Sequence, residues 1–139
     1  MLADLQNPQQ KSRTSVRYFK GTVDGADFTA TVFHIERKEG KWRLSGTKVD
    51  ENGTHYKLQL VLPDTYVKGV YKLEDHRDIV LTYSTTDLHD PILKYGDSGL
   101  VDFTTIDPAS NHAAGALKDI VTRDNGDPVS AIEALFNIG

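Results

Sequence analysis

Apolar and polar residues alternate through most of this chain, and short polar pairs ending in glycine interrupt the alternation. Trp42, Leu44 and Gly46 fall on one phase, Arg43, Ser45 and Thr47 on the other. Tyr56, Leu58, Leu60 and Leu62 oppose Lys57 and Gln59 in the same way. A period of two with one apolar phase describes a sheet buried on one face and wet on the other. Asp24-Gly25, Asn52-Gly53 and Asn125-Gly126 supply the residues that two-residue hairpin turns demand, because Asn and Asp tolerate left-handed backbone and Gly takes it freely. The pattern predicts strand pairs over Val16–Val23 and Phe28–Glu36, Trp42–Val49 and His55–Leu62, and Gly69–Leu73 and Ile79–Ser84. A further pair, Ile92–Tyr95 and Leu100–Ile106, flanks a turn at Gly96–Gly99. Strands recurring every roughly 8–12 residues are the signature of a sandwich or barrel.

The last third carries both periods. Leu117, Ile120 and Val121, and then Ile132, Leu135 and Phe136, fit a helix, and Asp127-Pro128 would start one. Ser130, Ile132, Ala134, Phe136 and Ile138 also alternate strictly, and Asn125-Gly126 between the two segments favours a hairpin, so strands are the preferred reading of 112–122 and 129–138. The expected fold is all-β: a single antiparallel sandwich or barrel of about nine or ten strands. Residues 1–14 read as a flexible, Gln-rich tail and 15–139 as the β domain.

Composition narrows the function more than the fold. A net charge of −4 and no basic run give no electrostatic reason to seek nucleic acid or anionic membranes. The absence of cysteine excludes a disulfide scaffold and Cys-ligated zinc. No apolar run reaches the ~20 residues of a membrane helix. Met1 to Thr14 lacks the apolar core of a signal peptide, so the expected location is cytoplasmic as written, or the cell envelope or periplasm if a signal has been removed.

Three stretches, GTVDGADFTAT (Gly21–Thr31), YKLQLVLPDTYVKGVYKL (Tyr56–Leu73) and SGLVDFTTIDPASNHAAGAL with DNGDPVSAIEALFNI, carry a further signal. Their order of turns and apolar positions resembles a family of uncharacterised β-rich domains found in many bacterial lipoproteins. The resemblance implies a fold and an envelope location. It implies no activity and no catalytic residues, and the lipid-anchor cysteine of that family is missing here.

Candidate chemistry is thin. Gly96-Asp97-Ser98-Gly99 spells a serine-protease tetrapeptide, but no histidine sits in a matching context, so it reads as a turn. Asn52-Gly53-Thr54 matches a glycosylation pattern and reads as turn chemistry. Asp50–Gly53 and Asp124–Asp127 lack the ligand series of a calcium loop. In a simple meander, alternate turns share an end. One end would then gather the turns near 24, 50–53, 74–78, 97 and 123–127 and be strongly acidic. The other would gather the longer loops 37–41, 63–68, 85–91 and 107–112, where binding sites tend to lie. It would bring His89 and His112 together with Asp87, Asp90 and Asp107, a donor set fit for a divalent metal, although no cofactor is required by the sequence. Among the aromatic residues, Trp42 and Tyr71 are expected in the core, and Tyr66, in a loop beside Pro63, is the candidate for an exposed stacking platform. His34 and His55 lie in strands and read as structural. The expected function is a non-catalytic binding module for a small molecule, glycan or protein, with Tyr66, His89 and His112 as candidate ligand contacts. The alternative is a structural or interaction protein docking through an edge strand or its acidic end. A metal-dependent enzyme is the third reading.

Overall fold

The computed structural model describes residues 17–86, 92–124 and 127–139. Ten antiparallel strands form one continuous, curled sheet: β1 (Tyr18–Val23), β2 (Ala26–Thr29), β3 (Val32–Lys38), β4 (Lys41–Val49), β5 (His55–Pro63), β6 (Gly69–Lys72), β7 (Val80–Thr85), β8 (Ile92–Asp107), β9 (His112–Asp124) and β10 (Asp127–Ile138). Both segments of the ambiguous last third are strands, paired from Ala113–Ile138 to Asp124–Asp127.

The strand order is β2-β1-β10-β9-β8-β7-β5-β4-β3, with β6 on the same flank of β8 as β7. The strands at the two edges, β2 and β3, are consecutive in the chain. Ala30 still donates to the Phe19 carbonyl while Thr31 already donates to that of Thr47, so one bent run belongs to both edges. Likewise β6 and β7 lie end to end along β8, separated by an excursion over residues 73–79 that contains a 3-10 turn (Leu73–Asp75). The ten strands are thus an up-and-down meander of barrel form.

Glycine shapes the curl where strands approach too closely for a side chain. A Cβ on Gly21 would collide with the Glu133 carbonyl oxygen and stand 2.6 Å from the Ala134 Cα. One on Gly115 would collide with the Asp102 carbonyl. The inner face is filled. Phe19 stacks on Phe136 at 5.4 Å between ring centroids, and Phe103 meets Phe136 edge-on at 5.8 Å. Trp42, Leu44, Leu58, Leu60, Leu62 and Leu81 complete the wall opposite, each at most 1% exposed. The gap between Trp42, Leu62, Phe103 and Ile106 admits no water molecule.

Three sequence expectations change. Asp24-Gly25 is the expected tight turn, with φ of 52° and 79°, but so is Glu39-Gly40, with φ of 55° and 78°. Residues 37–41 therefore form a hairpin rather than a long loop. There is no turn at 96–99, because Ile92–Asp107 is one strand of 16 residues. Gly99, at φ 121°, marks a close approach to the Asp119–Ile120 backbone, beside a bulge in β9. The charge sorting of the two ends holds only in part: the turn at Asp24, the loop at Asp50 and the Asp124–Asp127 pair share an end, but Glu74 and Asp97 do not belong to it. Asp97 lies on the side wall, bound by Arg77 and Arg123 at 3.7 and 3.0 Å, and Glu74 accepts the Gly99 N–H there. Asn125-Gly126 lies outside the described residues.

Candidate functional site

The inner face changes character toward one end. Continuing each inward phase past the packed core gives Lys48 on β4, Tyr56 on β5, Tyr83 and Thr85 on β7, Lys94 on β8, Thr122 on β9 and Ser130 on β10. A cleft of about 240 Å³ opens here, at the end that carries Asp24-Gly25 and the loop 50–54. Val23, Ala26 and Phe28 form its apolar surface, and Asp27, Lys48, Asp50, Tyr56 and Tyr83 its polar one. An apolar cavity with a few convergent polar groups at the mouth of a barrel is the common form of a small-molecule site.

The polar groups of the cleft hold one another. The Tyr56 hydroxyl donates to Asp50 Oδ2 at 3.0 Å, and Lys48 Nζ donates to the Asp27 carbonyl at 2.8 Å while standing 5.8 Å above the Tyr56 ring. Asp50 Oδ1 accepts the N–H groups of Asn52 and Thr54 at 2.9 and 3.0 Å, which closes the loop. Burial works to raise the Asp50 carboxyl, but these donors and the Lys48 charge outweigh it and hold the group below the ordinary carboxylate range. The half-buried Tyr83 phenol is pushed up, first by burial and then by the neighbouring Tyr56 and Asp24.

A larger trough of about 540 Å³ runs along the outside of the sheet across β1, β2, β9 and β10. It is open to solvent, and its charged rim of Lys20, Asp27, Lys118 and Glu133 is exposed. The end cleft is smaller but more enclosed, and its polar groups converge, so it is the better candidate.

The residues singled out from sequence lie elsewhere. Tyr66 is half-buried and fastens the 73–79 excursion rather than offering a free face. Its hydroxyl donates to Asp78 Oδ1 at 2.7 Å and lies 3.1 Å from His76 Nδ1, and its ring meets Tyr71 edge-on at 4.8 Å. His112 and Asp107 are cross-strand partners at the end of the sheet opposite the cleft. The His112 Nε2 donates to Asn137 Oδ1 at 2.5 Å, and the Asp107 carboxylate caps the following turn through Ala109 N–H and Ser110 Oγ. The Ser110 bond is the largest cause of the lowered Asp107 carboxyl. His89, Asp87 and Asp90 lie outside the described residues. Their flanks, Thr85 and Ile92, pair with each other at the cleft end, not at the end that holds His112 and Asp107, so the shared loop end expected from sequence is not found. Among the described residues, no three His, Cys, Asp or Glu side chains stand close enough to hold a metal ion. Trp42 is in the core as expected, while Tyr71 packs against it with its hydroxyl on the Val67 carbonyl at 2.7 Å.

The Tyr66 environment is directly measurable. Burial, and then the hydrogen bond to Asp78 and its charge, push the phenol up to about 12. The bound proton favours the fold at pH values below the phenol's ordinary pKa, and that contribution is lost as the pH climbs to the raised value. In an absorbance titration of tyrosinate, Tyr66 is expected among the last of the six tyrosines to ionise. Asp78→Asn should bring that step to lower pH by removing the carboxylate charge; an unchanged late step would show that Asp78 does not set it.

Comparison with protein families, with curated proteins and with solved structures gives no match for this chain.

Proposed function

We propose that this chain is a non-catalytic binding module that seats a small organic molecule in the cleft at the end of the barrel. The supporting observation is a partly apolar cleft walled by Tyr83 and by a phenol, an ammonium and a carboxylate (Tyr56, Lys48 and Asp50) that are already fixed by protein partners. Groups locked in place before a ligand arrives lose little freedom on binding, which favours recognition. The volume of about 240 Å³ is just under the usual range for ligand pockets and suits a single ring with one or two polar substituents.

A fragment screen by amide chemical-shift mapping tests this. Aromatic fragments should move the resonances of Val23, Lys48, Tyr56 and Tyr83 together and saturably. Tyr83→Ala, which removes one aromatic wall, should weaken the best fragment by about tenfold, a loss on the order of 1.4 kcal/mol. Shifts scattered over the surface, or confined to the outer trough, would remove the cleft as the site.

A further inference from the structure

The polar end of the barrel continues past the cleft. Tyr83 lines the cleft on β7, and its cross-strand partner on β8 is Lys94. Leu93 and Tyr95 on either side of Lys94 are 59% and 57% exposed, so Lys94 takes the inward phase. Its ammonium donates to Ser130 Oγ on β10 at 2.8 Å, and Ser130 is only 4% exposed. Among the described residues Lys94 is in no ion pair, and its one hydrogen-bond partner is a neutral hydroxyl. A cation drawn into a barrel end ordinarily meets a carboxylate.

Two neighbouring side chains are also unmatched. Thr122, the cross-strand partner of Ser130, is 1% exposed, and among the described residues its hydroxyl has no hydrogen-bond partner. Thr85, two residues beyond Tyr83 on the same face of β7, is 8% exposed, and its hydroxyl is likewise unpartnered among the described residues. Buried hydroxyls nearly always find partners. Here two do not, on strands adjacent to an ammonium with donors to spare, and a hydroxyl supplies the O–H that a bound anion accepts.

We infer that Lys94, Ser130, Thr122 and Thr85 form an anion subsite adjoining the cleft, and that the ligand is a small organic monoanion, a carboxylate on an apolar or aromatic body. This rests on the cleft being the binding site. The body occupies the apolar cleft between Tyr56 and Tyr83, and the carboxylate lies past Tyr83 against the Lys94 ammonium and the threonine hydroxyls. The carboxylates of Asp24, Asp27 and Asp50 at the same end set the charge limit. They repel a dianion more than a monoanion, so a carboxylate is preferred to a phosphate ester.

The test compares benzoate, benzamide and phenyl phosphate by calorimetry or chemical-shift titration on the full chain. Benzoate is expected to bind at least tenfold more tightly than benzamide and more tightly than phenyl phosphate. Lys94→Met, which keeps most of the aliphatic stem, should abolish the preference for benzoate over benzamide. Thr122→Val, nearly equal in shape, should reduce it several-fold; thermal unfolding of both variants establishes that they fold. Equal binding of benzoate and benzamide, or a preference that survives Lys94→Met, overturns the anion subsite while leaving the cleft as a neutral-ligand site. A preference for phenyl phosphate overturns the monocarboxylate assignment. If neither benzoate nor benzamide binds, the subsite is overturned, and the fragment screen above decides separately whether the cleft binds anything.

Discussion

Gly21→Ala is expected to be among the most destabilising single substitutions in this protein. In β1, Gly21 pairs with Ala134 of β10, and the two backbones approach so closely that a methyl group would overlap the Glu133 carbonyl and the Ala134 Cα. Neither obstacle is a side chain that can rotate away. Relief would require β1 and β10 to separate, and the Thr22–Glu133 and Lys20–Leu135 pairings on either side oppose that. Overpacking in a core costs about 1–3 kcal/mol even where neighbours can adjust, and this position lies at or beyond the upper limit. A loss of that size lowers the melting temperature by on the order of 10 °C or more. Circular dichroism during heating reads the result. A melting point within a few degrees of the parent would show that the strands can part here without penalty. Gly25→Ala is a useful contrast, because a Cβ there meets nothing within 4 Å and only the left-handed backbone, at φ 79°, resists it.

Phe136→Ala is the second large effect. Phe136 is 1% exposed and is the ring that both Phe19 and Phe103 touch, at 5.4 and 5.8 Å. Its removal takes away the buried ring and leaves a void that β-strands fixed by their own ladders cannot close. The expected loss is about 3–5 kcal/mol, read as a lower midpoint in urea with an unchanged slope. Phe136→Leu retains most of the volume and should cost much less. If the two variants were equally stable, Phe136 would not be the centre of the packing.

The strand content was legible because strict alternation leaves little choice of period, and the hairpin over Trp42–Leu62 was read almost to the residue. What stayed hidden were the places where one residue reverses the phase. On β8, Val101 and Phe103 point inward, and counting back by twos would place Tyr95 inside with them. The close approach at Gly99 shifts the phase, so that Gly96 and Lys94 are inward and Tyr95 is out. That shift hid Lys94, whose ammonium among the described residues meets a hydroxyl and no carboxylate. It also made a continuous strand look like two strands around a Gly-Asp-Ser-Gly turn. The excursion over 73–79 looked like a reversal of the chain, which put the connection between Thr85 and Ile92 at the wrong end; the added turn then cancelled that error, so the loop that carries Asp107 and His112 kept its place. Glu39-Gly40 escaped notice because a hairpin needs left-handed backbone at two residues, and Glu is not a usual occupant. The polar end of the barrel was partly visible, since Ser130 interrupts an otherwise apolar inward series.

The adjacency of β1 and β10 has a mechanical consequence. Tyr18 and Asn137 are directly opposite each other, at the far end of the barrel from the cleft. A neighbouring domain or a surface attached at either strand end would therefore sit behind the molecule, with the cleft facing outward. Joining the two strand ends by a short linker and reopening the chain at Glu39-Gly40 should likewise leave the cleft untouched.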